Sequence, residues 1–206
     1  MKRVIGFLGF DSFESLLYAA HLFCAAGEAV VVVNYSHDAG IDFFSGATEK
    51  HSTVFRDITF CNTSRLVLEK YKDFSIALIA LDSSSEQKVL DLCDDFVFSS
   101  DLIPWRKDSL IELSILESQD VVFIGFADKS YKLIAQEQAT KIFDFVPPIF
   151  LVPFNKADQN LKLSLATRDE LNLSKASYEL KEALRGVVGN TLTTKQFNTA
   201  IKRKWR

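Results

Sequence analysis

Six short apolar runs recur along the chain, each nearly continuous in hydrophobicity instead of alternating. They are RVIGFLGF (3–10), AVVVVN (29–34), SIALIAL (75–81), FVFSS (96–100), DVVFIGF (120–126) and IFLVPF (149–154). Strands covered on both faces read this way, as in a parallel sheet. Between them, spacings of three and four predict helices over 12–26, 84–93, 106–117, 129–143 and 174–187. Strand–helix alternation of this kind predicts an α/β domain, a three-layer, doubly wound, mostly parallel sheet with right-handed crossovers and helices on both faces. Residues 37–73 have weak periodicity and read as a surface excursion with one helix near 62–72. The simplest division is one domain over 1–192 and a basic amphipathic helix over 193–206.

The first predicted helix shows how its ends are marked. Asp11 suits the N-cap, and Glu14 stands at capping-box spacing from it. Phe13, Leu16, Leu17, Ala20 and Cys24 form an apolar stripe, and Gly27 supplies a left-handed stop. In the stretch SSS at 83–85, Ser83 or Ser84 reads as the N-cap of the next helix.

Composition adds a large core and little else. The 206 residues are 48% hydrophobic and 25% charged, with 18 Phe, which suits thick apolar layers. The net charge of −3 gives no global basic field for nucleic acid. No apolar run approaches the roughly 20 residues of a membrane-spanning helix. The opening MKRVIGFLGF is interrupted by Asp11 and Glu14 and reads as a first strand instead of a signal peptide, so a cytoplasmic protein is expected. Cys24, Cys61 and Cys93 have no paired spacing and read as free thiols, and His21, His37 and His51 lack ligand spacing, with His21 at the edge of the first helix.

The strand–turn–helix at GFLGFDSFES (6–15), followed by GEAVVVVNYSHD, resembles the start of the ParA/MinD branch of P-loop proteins. SIALIALD (75–82), DVVFIGF, PPIFLVPFNKADQN and SKASYELKEALRG continue the resemblance over most of the chain. It implies a P-loop NTPase-like fold, with a phosphate loop at Gly9, Asp11, Ser12, Glu14 and Ser15. It also implies strand-end positions at Asn34 and Asp82, with Asp38 nearby. The family's lysines are absent from that loop, Asn34-Tyr35-Ser36 stands where it has an Asp-x-Asp pair, and only Asp82 remains where its magnesium-side Asp would be. A phosphate cradle needs free backbone N–H groups and positive charge. Two like unit charges 4 Å apart repel by about 4 kcal/mol at an effective dielectric of about 20. Asp11 and Glu14 are therefore expected to fill the anion site, by capping the helix, and to exclude a polyphosphate.

The resemblance thus implies a catalytically inactive relative that needs no cofactor and acts as a scaffold, positioning or assembly factor through protein contacts. The partner would be a second copy or an active relative. The alternative is a switch that binds ATP or GTP with Mg²⁺, with Lys2, Arg3 or Lys129 as the source of positive charge. Asn155-Lys156-Ala157-Asp158 has the spacing with which GTPases read guanine, and it also reads as an ordinary turn.

At the C-terminus, Thr193 and Gln196 have capping-box spacing, and Phe197, Ile201 and Trp205 recur every four residues. Lys195, Lys202, Arg203, Lys204 and Arg206 add positive charge. Three readings fit: a last helix packed on the domain, a peripheral membrane contact at the inner face of the membrane, or an acidic or nucleic-acid partner. The Trp105–Arg106 pair within PWRKD (104–108) is a type enriched at interfaces.

Overall fold

The computed structural model describes residues 3–36, 46, 51–63, 68–82, 84–102, 120–143, 145–167 and 170–205. The expected helix at 106–117, Asp38, Ser83 and the PWRKD stretch lie outside the described residues.

Eight strands form one sheet. They are β1 (Arg3–Gly9), β2 (Val30–Asn34), β3 (Thr53–Phe55), β4 (Ile58–Asn62), β5 (Ile76–Ala80), β6 (Asp95–Ser100), β7 (Asp120–Gly125) and β8 (Ile149–Leu151). Their order is β3-β4-β2-β5-β1-β6-β7-β8, with β1 in the middle between β5 and β6. Every pairing is parallel except that of β3 with β4. The helices are α1 (Ser12–Ala25), α2 (Gln87–Leu90), α3 (Lys132–Phe143), α4 (Lys156–Ala166), α5 (Tyr178–Val188) and α6 (Thr194–Ala200). This is the mostly parallel, doubly wound α/β architecture that the apolar runs predict.

Strand pleating splits the core in two. Ile5, Phe7, Val30, Val32, Ile76 and Leu78 face α1, α5 and α6, whereas Val4, Leu8, Val31, Val33, Phe96, Phe98 and Phe123 face α2 and α3. Successive strand residues point to opposite faces, and both faces of β1, β2 and β5 are covered, so these central strands are apolar almost throughout. At Gly6 a Cβ would lie 2.8 Å from the Phe96 ring and from Leu81, so β1 keeps a glycine where two large side chains fill the layer.

Three elements depart from expectation. Residues 53–62 form the β3–β4 hairpin, whose two loop residues, Arg56 and Asp57, have φ of 52° and 64°. Positive φ at both positions is the geometry of a type I′ turn, usually built from Asn and Gly. Of the helix expected near 62–72, residues 64–67 lie outside the described residues, Asn62 ends β4, and Leu68–Tyr71 form a 3₁₀ turn. The helix over 84–93 is the single turn α2, preceded by Glu86 with no side-chain cap, so neither serine expectation survives in that form.

The C-terminal segment is part of the domain. The capping box of Thr193 with Gln196 is present. Phe197, Ile201 and Trp205 are 2%, 7% and 5% exposed and belong to the same core cluster as α1. Trp205 pairs with Leu171 through both backbone hydrogen bonds, and its Nε1 donates to the Arg56 carbonyl at 3.2 Å. His21 is buried too, not at an edge: its ring stacks on Trp205 at 5.4 Å and its Nε2 lies 3.0 Å from the Arg203 carbonyl. The apolar stripe assigned to a membrane or partner surface is thus turned inward, because α1 offers it an apolar face to cover. Lys202, Arg203 and Lys204 remain exposed, Lys204 beside Glu170 at 2.7 Å.

Candidate functional site

The sequence-predicted site residues gather at the carboxyl ends of the strands. Gly9 ends β1, Asn34 ends β2, and Asp82 follows β5. Parallel α/β sheets hold ligands at this edge.

The β1–α1 junction is very tight. Only Phe10 and Asp11 separate Gly9 from Ser12, the first residue of α1. Gly9 has φ of 94°, and a Cβ there would stand 2.1 Å from the Ser99 carbonyl oxygen, which also accepts from the Phe10 N–H at 2.9 Å. Asp11 follows in the left-handed region at φ 53°. Ser12, Glu14 and Ser15 therefore belong to α1 itself, and Ser15 is buried.

Asp11 occupies the N-cap position without a side-chain cap, contrary to expectation. Its carboxylate instead pairs with Lys162 of α4, whose Nζ is also 3.9 Å from Glu14 Oε1. The same Nζ lies 5.4 Å from the centre of the Phe126 ring, and Phe126 meets Phe10 edge-on at 6.4 Å. With Asp11 in the left-handed region, its carboxylate forms a charge-assisted pair with Lys162 of α4 instead of capping α1. The junction carries two carboxylates and one ammonium, all half-buried.

Lys162 is missed by the sequence reading because no helix is predicted between the run at 149–154 and the helix at 174–187, where α4 stands. Of the cations expected to serve a phosphate, Lys2 lies outside the described residues. Arg3 is at the opposite end of β1, paired with Asp95, and Lys129 pairs with Glu179 at 2.8 Å. The spacing KADQNLKLSLA, with Leu161 and Leu165 buried at an interval of four, was the signal that could have found α4.

The 155–158 turn is committed to helix ends. Asn155 Oδ1 caps α4 by accepting from the Asp158 N–H at 3.0 Å, and its Nδ2 donates to the Pro153 carbonyl and to Asp158. Asp158 also accepts from the Ser177 N–H at 2.8 Å and its hydroxyl at 2.6 Å, and Ser177 Oγ in turn caps α5. A buried carboxylate used in this way ties α4 to α5. Asn34 Oδ1 accepts from the Ser36 N–H and hydroxyl, and Asp82 Oδ1 accepts from those of Ser84. Both are engaged in local turns.

A small apolar pocket opens beside the ion pair, between α1 and the β8–α4 connection. Tyr18, 3% exposed, forms part of its wall, and its buried hydroxyl has no hydrogen-bond partner among the described residues. Burial, then the charges of Glu14, Asp158 and Asp11, hold the phenol far above its ordinary ionisation range.

No protein-family model matches the chain, and no curated protein matches it. Solved structures do. The fold is similar to that of a ParA family ATPase from Chlorobium tepidum TLS, at 13% identity and TM-score 0.51, over 98% of each chain. It is also similar to pNOB8 ParA, solved bound to nonspecific DNA, at 11% identity and TM-score 0.56, over 93% of this chain and 100% of that one. The chain has a ParA-like, P-loop NTPase type of α/β fold.

Proposed function

We propose that this is a catalytically inactive ParA-like protein that acts as a scaffold, positioning or assembly factor, binding a protein partner instead of hydrolysing a nucleotide. The observation that carries the reading is the ion pair of Asp11 with Lys162, flanked by Glu14, across a β1–α1 junction of two residues. A phosphate at α1 would meet two carboxylates, and Lys162, the cation beside them, is already paired with Asp11. So short a connection also leaves little backbone to wrap around an anion. The partner is a second copy or an active relative. Exposed Phe154, Leu163 and Tyr178, at or next to residues that build the site, give such a partner apolar area to cover.

The test is to remove the negative charge and ask whether anion binding appears. The double variant Asp11→Asn, Glu14→Gln leaves Lys162 unneutralised and should gain measurable affinity for tripolyphosphate, where the unaltered protein shows none. Tripolyphosphate binding by the unaltered protein would instead favour the switch reading, with Lys162 as its cation.

A second reading concerns the exposed cations alone. With Phe197, Ile201 and Trp205 buried, what the C-terminus offers outward is charge: Lys195, Lys202, Arg203 and Lys204. One structural neighbour was solved with DNA. A polyanion held by these residues would bind with a steep salt slope, and an Arg203→Ala, Lys204→Ala variant should flatten it.

A further inference from the structure

Helix α3 packs Ala135, Ala139 and Phe143 into the core layer on the side of the sheet away from α1 and α5. Its outer face carries Leu133, Ile134, Glu137 and Lys141, all exposed and at the spacings of one helical stripe. Leu133 is 74% exposed, and Val146, 56% exposed, stands just past the other end of the helix. Exposed apolar residues scattered singly need no explanation. Here they mark the two ends of one face, with charge between them.

The order of residues along this face makes it complementary to itself. Glu137 comes first and Lys141 one turn later, and neither side chain has an ion pair or hydrogen bond among the described residues. Positions 137 and 141 are equally far from Ala139. When two copies of α3 lie antiparallel about a two-fold axis at the level of Ala139, each Glu137 therefore falls opposite the Lys141 of the other copy. A two-fold contact requires such an exchange, in which residue i meets j and j meets i. The same operation brings Leu133 and Ile134 of one copy toward Val146 of the other. A parallel alignment would instead set like charges against each other, and the helix dipoles also favour the antiparallel one.

We infer that the outer face of α3 is the contact through which a second copy of this chain docks, antiparallel and with no nucleotide between the subunits. The inference rests on the reading of the protein as a binding module whose partner is a second copy. It places that copy on the side of the sheet opposite α1, away from the pair of Asp11 with Lys162. A contact built on one helix of 12 residues, about 18 Å long, lies at the small end of specific interfaces and makes a reversible dimer.

The test is sedimentation velocity of the full chain over a range of concentrations, with no nucleotide present. A monomer–dimer equilibrium is expected. Leu133→Asp should raise the dimer Kd about tenfold and keep the melting temperature of the dilute protein, because Leu133 is exposed. Glu137→Lys and Lys141→Glu should each raise the Kd about tenfold by opposing like charges. The double variant Glu137→Lys, Lys141→Glu should dimerise as the unaltered protein does, and so should an equimolar mixture of the two single variants. A chain that stays monomeric at every concentration overturns the proposal. So does a dimer that Leu133→Asp leaves intact, or a loss in the single charge variants that the double variant does not reverse. The filled phosphate site is judged apart from this, by tripolyphosphate binding. A monomer that binds no polyphosphate would remove the α3 contact and leave that site standing.

Discussion

Gly9 and Asp11 decide between them what the β1–α1 junction can hold. Gly9 lets β1 pass against the Ser99 carbonyl, and Asp11, in the left-handed region, pairs with Lys162. Gly9→Ala is expected to cost about 3 kcal/mol, read from the urea midpoint, because a Cβ meets backbone and the positive φ is strained. Gly27 makes a useful control. It also has φ of 94°, but a Cβ there meets nothing within 4 Å, so Gly27→Ala should cost only about 1 kcal/mol. Lys162→Met leaves Asp11 and Glu14 without their shared cation; about 1–2 kcal/mol should be lost, given that all three groups keep some contact with solvent. A stability unchanged by Lys162→Met would show that the pair does not hold the junction closed. That two carboxylates stand at this junction was legible in the sequence. Their partner was not, since Lys162 is 151 residues away and only the fold brings it to Asp11.

Elements were legible where one physical signal dominated. The continuous apolar runs of β1, β2 and β5 arise because helices cover both faces, and the end of α1 was marked by Gly27, whose N–H bonds to the Cys24 carbonyl at 2.9 Å. The hairpin was hidden because Arg56 and Asp57 take a turn geometry they rarely signal, and α4 because only Asp158, Leu161 and Leu165 of its residues are buried, too few for a clear apolar stripe. The last helix was read correctly in its capping box but not in its length. It ends at Ala200, and Trp205 lies beyond it in a bridge to Leu171, so the spacing of four did not say how far the helix runs or what its apolar residues cover. Here they cover α1 and the β3–β4 turn, the latter through Trp205. Trp205→Ala should therefore cost about 3–5 kcal/mol of domain stability, measured by denaturant unfolding. Thr193→Ala should cost about 1 kcal/mol through the lost cap. A Trp205→Ala protein of unaltered stability would return the C-terminal segment to the role of a detachable docking helix.

At the scale of the whole molecule, the parallel sheet brings to one edge residues that the sequence spreads from Gly9 to Ser177, while the C-terminus locks the far side of α1. That lock carries a pH dependence. Burial pushes His21 down to about 4; its contact with the Arg203 carbonyl works the other way, and the charge of Arg56 adds to the depression. The unfolded chain binds the proton near 6.5 and the folded one only near 4, so folding is opposed as pH falls through that window. Stability should be level above pH 6.5 and decline toward pH 4 by about 3 kcal/mol, and His21→Gln should remove much of the decline. The site divides in the same way between what pattern can and cannot reveal: the absence of loop lysines is visible in the sequence, whereas the commitment of Asp158 to Ser177 and Asn155 depends on how α4 and α5 meet. Isothermal titration of the unaltered protein with ATP and with GTP, magnesium present, tests the central claim most directly. No heat of binding with either nucleotide is the result predicted by a phosphate site filled from within. A saturable isotherm with ATP or GTP would contradict it, showing that the pair of Asp11 and Lys162 opens to admit a phosphate.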